Sequence, residues 1–102
     1  MSQGSVTERA DGELSLAGVL DYSTGPALRE QGGLLIAASK AGALRLDCSA
    51  VEHSSSVGLS LLLSFTRDAR KAGKSLVISG MPKEMQEIAK VGGLLDILPL
   101  QQ

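Results

Sequence analysis

The chain has 102 residues, 43% of them hydrophobic, with ten basic and eleven acidic side chains and a net charge of −1. That length holds one domain rather than two, and that hydrophobic fraction is too high for disorder. A nearly neutral chain with one Tyr, one Phe and no Trp has neither the basic field that attracts nucleic acid or anionic lipid nor the aromatic faces that stack single-stranded bases, so neither is expected as its main partner.

In chain order, Val6 to Arg9 reads as a short edge strand, and Asp11-Gly12 as a hairpin turn. Glu13 to Val19 alternates as a strand does, with Leu14 and Leu16 facing in and Val19 as a third candidate. Asp21 to Pro26 leads into a helix over Ala27 to Ser39, with Ser23 or Thr24 as cap and Leu28, Leu35 and Ala38 on one side. Gly32-Gly33 weakens that helix, since each Gly disfavours it by roughly 1 kcal/mol against Ala. Leu44 to Cys48 reads as a buried strand, and Ser49 to Ser55 as a polar loop. Val57 to Ala72 is the clearest helix, with Leu59, Leu62, Leu63 and Thr66 on one face and Leu61 and Phe65 widening it. Cations crowd its C-terminal half, where they suit the helix dipole, and Gly73 ends it. Leu76 to Ser79 is a further strand. Pro82 sits near the first position of a third helix bearing Met85, Ile88 and Ala89, and Gly92-Gly93 stops it before the apolar segment Leu94 to Leu100.

This order of elements predicts an α/β domain: a mixed, mostly parallel sheet of about four strands with helices mainly on one face. The expected core is Leu16, Leu44, Leu46, Leu62, Val77 and Ile78. The domain is taken as 1–102, with its core at about 13–99. Cys48, the single cysteine, fits a reducing compartment. Met1 to Ala10 has no apolar run of the signal-peptide kind, and Val57 to Phe65 is less than half of the ~20 residues that a membrane span needs. A soluble, cytoplasmic protein is the expectation.

The chemical motifs are incomplete. Gly73-Lys74-Ser75 resembles the end of a phosphate-binding loop, but position 68 is Asp where Gly is required, and the segment leaves a helix instead of entering one. Ser54-Ser55-Ser56-Val57-Gly58 lies where a nucleophile elbow would lie, yet its first Gly is Ser54, and His53, the only histidine, is three residues from Ser56. His53 with Cys48 makes a poor metal site, and an exposed loop histidine is the plainer reading. Asp47 and Glu52 read as ordinary loop charges. No cofactor, metal or small-molecule substrate is expected, and no enzymatic activity. What remains is a serine run opening a helix, where Ser55 or Ser56 caps free backbone N–H groups that also suit a phosphate.

Leu44-Arg-Leu-Asp-Cys-Ser-Ala-Val51, then Ser54-Ser-Ser-Val-Gly-Leu-Ser-Leu-Leu-Leu63, then Ala72-Gly-Lys-Ser-Leu-Val-Ile-Ser-Gly80 together resemble the centre of a STAS domain. Ser56 matches that family's Ser/Thr position, the phosphoacceptor in anti-sigma-factor antagonists. Two positions depart from the pattern: Ser55 stands where Asp is usual, and Val57 where the residue is usually tiny. The ending Leu94-Leu-Asp-Ile-Leu-Pro-Leu100 is similar to the close of the family's MlaB branch, the cytoplasmic STAS subunits of phospholipid-transport ABC complexes. The resemblance implies a non-catalytic subunit that binds the complex's ATPase and supports outer-membrane lipid asymmetry. The alternative it leaves open is an anti-sigma-factor antagonist, released from a kinase-like partner by phosphorylation. On either reading the partner surface is expected at Ser54, Ser55, Ser56, Val57 and Leu59, continuing along the helix, whose Leu59, Leu61, Leu62 and Leu63 exceed one core-facing stripe.

Overall fold

The computed structural model describes residues 2–101; Met1 and Gln102, included in the domain as read from the sequence, lie outside the described residues. The elements are β1 (Ser5–Ala10), β2 (Glu13–Leu20), α1 (Gly25–Ala38), β3 (Ala43–Ser54), α2 (Ser56–Lys71), β4 (Ser75–Ser79) and α3 (Lys83–Val91). The strands form one sheet in the order β1-β2-β3-β4. β1 and β2 are an antiparallel hairpin, turned at Asp11-Gly12 with Gly12 at φ +81°, where a side chain would be strained. β2, β3 and β4 are parallel, each joined to the next through a helix. Crossovers of one hand that always step the same way along a sheet put every helix on the same face. The predicted mixed sheet with one helical layer is therefore the observed one.

Strand alternation divides the two faces. In β2, Leu14, Leu16, Gly18 and Leu20 are buried and the residues between them are half-buried. The inward set is thus the even positions, and Val19 does not belong to it. Leu16, Leu44, Leu46, Leu62 and Ile78 lie in the core as expected. Val77 does not: it is 38% exposed, because β4 alternates and Leu76 and Ile78 take the inward places. The open face instead carries Arg9 paired with Asp47 at 2.9 Å and Arg45 paired with Glu13 at 3.3 Å.

β3 is longer than the strand that the sequence pattern predicts. It does not stop at Cys48 but runs on to Ser54, through the segment expected to be a loop. Its pairing with β2 shifts register twice, between Ser15 and Ala17 and between Gly18 and Val19, and each time β3 supplies one residue more than β2. These bulges change the burial spacing from two residues to three, so that Cys48, Val51 and Ser54 face in. Asp47, Glu52 and His53 are consequently strand residues, not loop residues.

α2 lies between α1 and α3 and covers the sheet. Leu59, Leu61, Leu62, Phe65 and Ala69 are buried. The extra apolar width read along this helix is therefore covered by the domain's own helices. On α1 the buried face is Leu28, Gly32 and Ile36, spaced by four, rather than Leu28, Leu35 and Ala38; Leu35 is half-buried and Ala38 exposed. Gly32 explains the rotation. A Cβ there would overlap the Phe65 ring, so the glycine lets α1 and α2 approach. α2 ends in a complete Schellman motif, with Lys74 N–H bonded to the Ala69 carbonyl at 2.8 Å and Gly73 N–H to the Arg70 carbonyl at 3.0 Å. α3 ends the same way, through Leu94 to Ala89 and Gly93 to Lys90, and Pro82 is its cap rather than its first residue. The segment after it returns to the sheet: Ile78 N–H donates to the Pro99 carbonyl and Gln101 N–H to the Ile78 carbonyl, both at 2.8 Å. Among the described residues, no buried side-chain nitrogen or oxygen lacks a hydrogen-bond partner, and no helix is long and apolar enough to cross a membrane.

Candidate functional site

The two parallel strands β2 and β3 end together, Leu20 paired with Ser54, and the chain leaves each of them into a helix. The serine run sits at this corner. Its three serines do different work. Ser54 is buried; its N–H donates to Glu84 Oε1 at 2.8 Å and its hydroxyl to the Ser55 carbonyl at 2.7 Å. Ser55 is the cap of α2: its N–H donates to the Leu20 carbonyl at 3.0 Å, and its hydroxyl accepts from Val57 N–H at 3.2 Å. Ser56 is the first residue of α2 and is exposed. Of the two serines considered as cap, it is Ser55 that fills the role, leaving Ser56 to face solvent.

Gly58 shows why this corner needs its local sequence. A Cβ at Gly58 would collide with the Ser54 hydroxyl, so only glycine lets the first turn of α2 close over that buried side chain. Leu59 is 1% exposed and points into the core. Its contribution is to seat the helix, and the same holds for Ser54. The surface the corner presents is narrower than the sequence reading made it: Ser55 and Ser56 are exposed and Val57 is half-buried. Val57 occupies a defined place, since a Cβ on Gly25 of α1 would come within 2.8 Å of its Cγ1. The bulky residue at this position packs against a neighbour that has no side chain.

Two acids that the motif reading passed over organise the corner. Glu84, in the first turn of α3, holds Ser54 N–H and has its other oxygen 3.7 Å from His53 Nδ1. Asp21 closes the turn after β2, accepting from Ser23 N–H at 2.9 Å, the Ser23 hydroxyl at 2.6 Å and Thr24 N–H at 3.3 Å. The Ser23 hydroxyl, ahead of the opposing effect of desolvation and helped by the two N–H groups, holds the Asp21 carboxyl below the usual carboxylate range. The helix that follows starts at Gly25 with Thr24 in the cap position; the Thr24 hydroxyl donates to the Val19 and Asp21 carbonyls, both at 3.3 Å, and does not cap the helix. The signal for Asp21 was present as Asp-x-Ser-Thr, the signature of a side chain folding back on its own turn. Glu84 had no local signal, because its partner is thirty residues away.

The remaining candidates lie elsewhere. Asp47 is on the open face, held below the usual carboxylate range chiefly by Ser49 N–H and further by Arg9. Glu52 takes the backbone N–H of Ser2 at 3.2 Å. Cys48 is fully buried, and burial, with the Asp47 charge, pushes its thiol up to about 12. Among the described residues, no three metal-ligating side chains come together.

This architecture has known counterparts. A family model described as "Mlab, STAS domain" matches residues 5–100. A search of curated proteins found no match. Among solved structures, an anti-sigma factor antagonist from Mycobacterium paratuberculosis is 30% identical, with a TM-score of 0.76 over 96% of this chain and 83% of that one. The phosphorylated form of the Bacillus cell fate determinant SpoIIAA is 14% identical, with a TM-score of 0.67 over 97% and 89%. The STAS domain of the SulP transporter from Vibrio cholerae is 16% identical, with a TM-score of 0.60 over 84% and 68%. The latter two share the fold. Matched by the family model from β1 to the returning C-terminal segment, and by a solved relative at 30% identity, the chain belongs to the STAS domain family.

Proposed function

We propose that this chain is a non-catalytic STAS subunit of an ABC phospholipid transporter, binding the transporter's ATPase on the cytoplasmic side and stabilising or regulating it, in a complex that maintains outer-membrane lipid asymmetry. The observation that carries this reading is the match of residues 5–100 to the family model described as Mlab. The site supports a binding role. The Ser54 and Ser55 hydroxyls are engaged in backbone hydrogen bonds that shape the corner, and Ser56 stands exposed at the start of α2. The influence of such a surface passes through contacts with a partner. A subunit that binds only the folded ATPase stabilises it by mass action.

The test is to produce the ATPase subunit of a phospholipid transporter from the same cells with and without this chain. Co-purification, a raised melting midpoint and altered ATP turnover are expected. Ser56→Glu should weaken the complex more than Ser56→Ala, because the added charge has to be desolvated or paired at the contact. Absence of co-purification together with unchanged melting and turnover rejects the transporter reading.

A second reading is favoured by the 30% identity to an anti-sigma factor antagonist and by the exposure of Ser56 at the family's phosphoacceptor position. On it, the chain binds an anti-sigma kinase and is released when Ser56 is phosphorylated. Incubation with such a kinase and ATP, followed by mass spectrometry of the Ser56 peptide, decides it.

A further inference from the structure

Tyr22 is the chain's only tyrosine and is 85% exposed. Its ring adds nothing to the core, which is aliphatic apart from Phe65. Yet the turn that carries it is closed by hydrogen bonds among its neighbours Asp21, Ser23, Thr24 and Gly25. The Asp21 carboxylate on one side accepts from both Ser23 and Thr24, and the Asp21 carbonyl accepts from Thr24 N–H at 3.2 Å and Gly25 N–H at 2.9 Å. The turn is tied to the serine corner at two points. Ser55 N–H binds the carbonyl of Leu20, two residues before Tyr22. Gly25, three residues after it, is packed on Val57. Tyr22 and Ser56 therefore belong to one surface at the ends of β2 and β3.

Large rings displayed on rigid turns are what protein interfaces use as anchors. A tyrosine has few rotatable bonds to freeze, offers much area to bury, and carries a hydroxyl for the rim of a pocket. The Asp21 carboxylate, next to Tyr22 in the same turn, sets the complementary charge. We propose that Tyr22 is the anchor by which this corner grips its protein partner, filling an apolar pocket bordered by lysine or arginine on the ATPase subunit. The basic border complements the Asp21 carboxylate, and a cation over the ring face adds its own attraction. This proposal rests on the transporter reading given above and names the residue that carries its affinity.

The experiment measures the affinity of the wild-type chain, Tyr22→Ala, Tyr22→Phe and Ser56→Glu for the purified ATPase subunit of a phospholipid transporter from the same cells. Because the ring is exposed, the Tyr22 variants should keep the wild-type melting midpoint, which is checked first. Truncating an anchor is expected to weaken binding about thirtyfold, while Tyr22→Phe, which keeps the ring, should stay within about fivefold of wild type. A loss under about tenfold for Tyr22→Ala overturns the proposal; if Ser56→Glu is weakened in the same assay, the transporter reading survives it. Equal losses for Ala and Phe also overturn it, since the hydroxyl would then be the gripping group. If the wild type does not bind the ATPase, the transporter reading falls, and the same four proteins are measured against a purified anti-sigma kinase, where the tenfold criterion decides the anchor again. Binding to neither overturns both.

Discussion

Leu76 and Val77 are neighbours in β4 and both apolar, yet one is 7% exposed and the other 38%. The same division runs through the whole sheet. On the inner face, Leu14, Leu16, Leu46 and Ile78 lie under three helices and are at most 1% exposed. On the outer face, Arg9 meets Asp47 and Arg45 meets Glu13, with their charges in water. A domain of 102 residues can therefore do with few layers. One helical layer suffices for one core when the other face of an antiparallel-edged sheet is made polar enough to stay wet. It also sets the strand ends apart. A sheet face kept solvated by ion pairs and a helical layer packed on itself leave the strand ends, where the serine corner sits, as the surface with an exposed aromatic.

The inner face depends most on its central side chain. Leu62 is fully buried, so Leu62→Ala should lower stability by about 3 kcal/mol in chemical denaturation. A loss below about 1 kcal/mol would mean that the helical layer is not packed as described. The next test compares two adjacent glycines. Alanine in a helix ordinarily beats glycine by up to about 1 kcal/mol, but a Cβ at Gly32 strikes the buried Phe65 ring. Gly32→Ala should therefore destabilise by about 1–2 kcal/mol. At Gly33 the nearest atoms, at 3.2 Å, belong to the partly exposed side chains of Arg29 and Asp68. Gly33→Ala should be neutral or stabilising in the same assay, and equal losses at both positions would show that α1 does not lean on Phe65.

A smaller effect, invisible at neutral pH, comes from Cys48. Its thiol is pushed up to about 12 in the folded chain, above an unfolded value of roughly 8.5. The folded state then holds a proton that the unfolded state gives up. Stability is full below the unfolded value and falls as pH rises between the two. Cys48→Ala should flatten that alkaline fall, and alkylation of wild-type Cys48 should proceed only as fast as the chain unfolds. Smallest of all is the outer face. Arg45→Ala breaks an ion pair whose two side chains are nearly half exposed, and should change stability by less than about 0.5 kcal/mol.

Element order, sheet type and most of the core were legible because periodicity survives in a single sequence: β2 alternates cleanly, and α2 has an amphipathic face over four turns. The end of β3 was not legible. Two bulges replace its alternation with a spacing of three, and its residues from Ser49 to Ser54 are mostly polar, so period and composition both imitate a loop. The buried side of α1 was misread because the residue at its centre is Gly32, which has no side chain to signal a contact and is buried for that reason. Val77 shows the converse: a β-branched residue fits a pleated strand on either face, and composition cannot say which. At the site, the sequence located the serine corner and its cap but not Glu84, which arrives from a helix distant in the chain. Nor did it show that Ser54 and Leu59 are buried, since a side chain's direction at a helix entrance depends on where the helix docks.

The return of the chain to Ile78 has a consequence for how copies of this protein behave together. An open strand edge is a template on which another molecule can add a strand, and repeated addition ends in fibres or precipitate. Here the last segment lays its own backbone along β4, while the opposite edge, β1, carries Glu8 and Arg9 toward its C-terminal end, charges that discourage strand addition. The molecule therefore carries its own terminator on one side and an electrostatic deterrent on the other. Strand addition is thus disfavoured at both edges of the sheet.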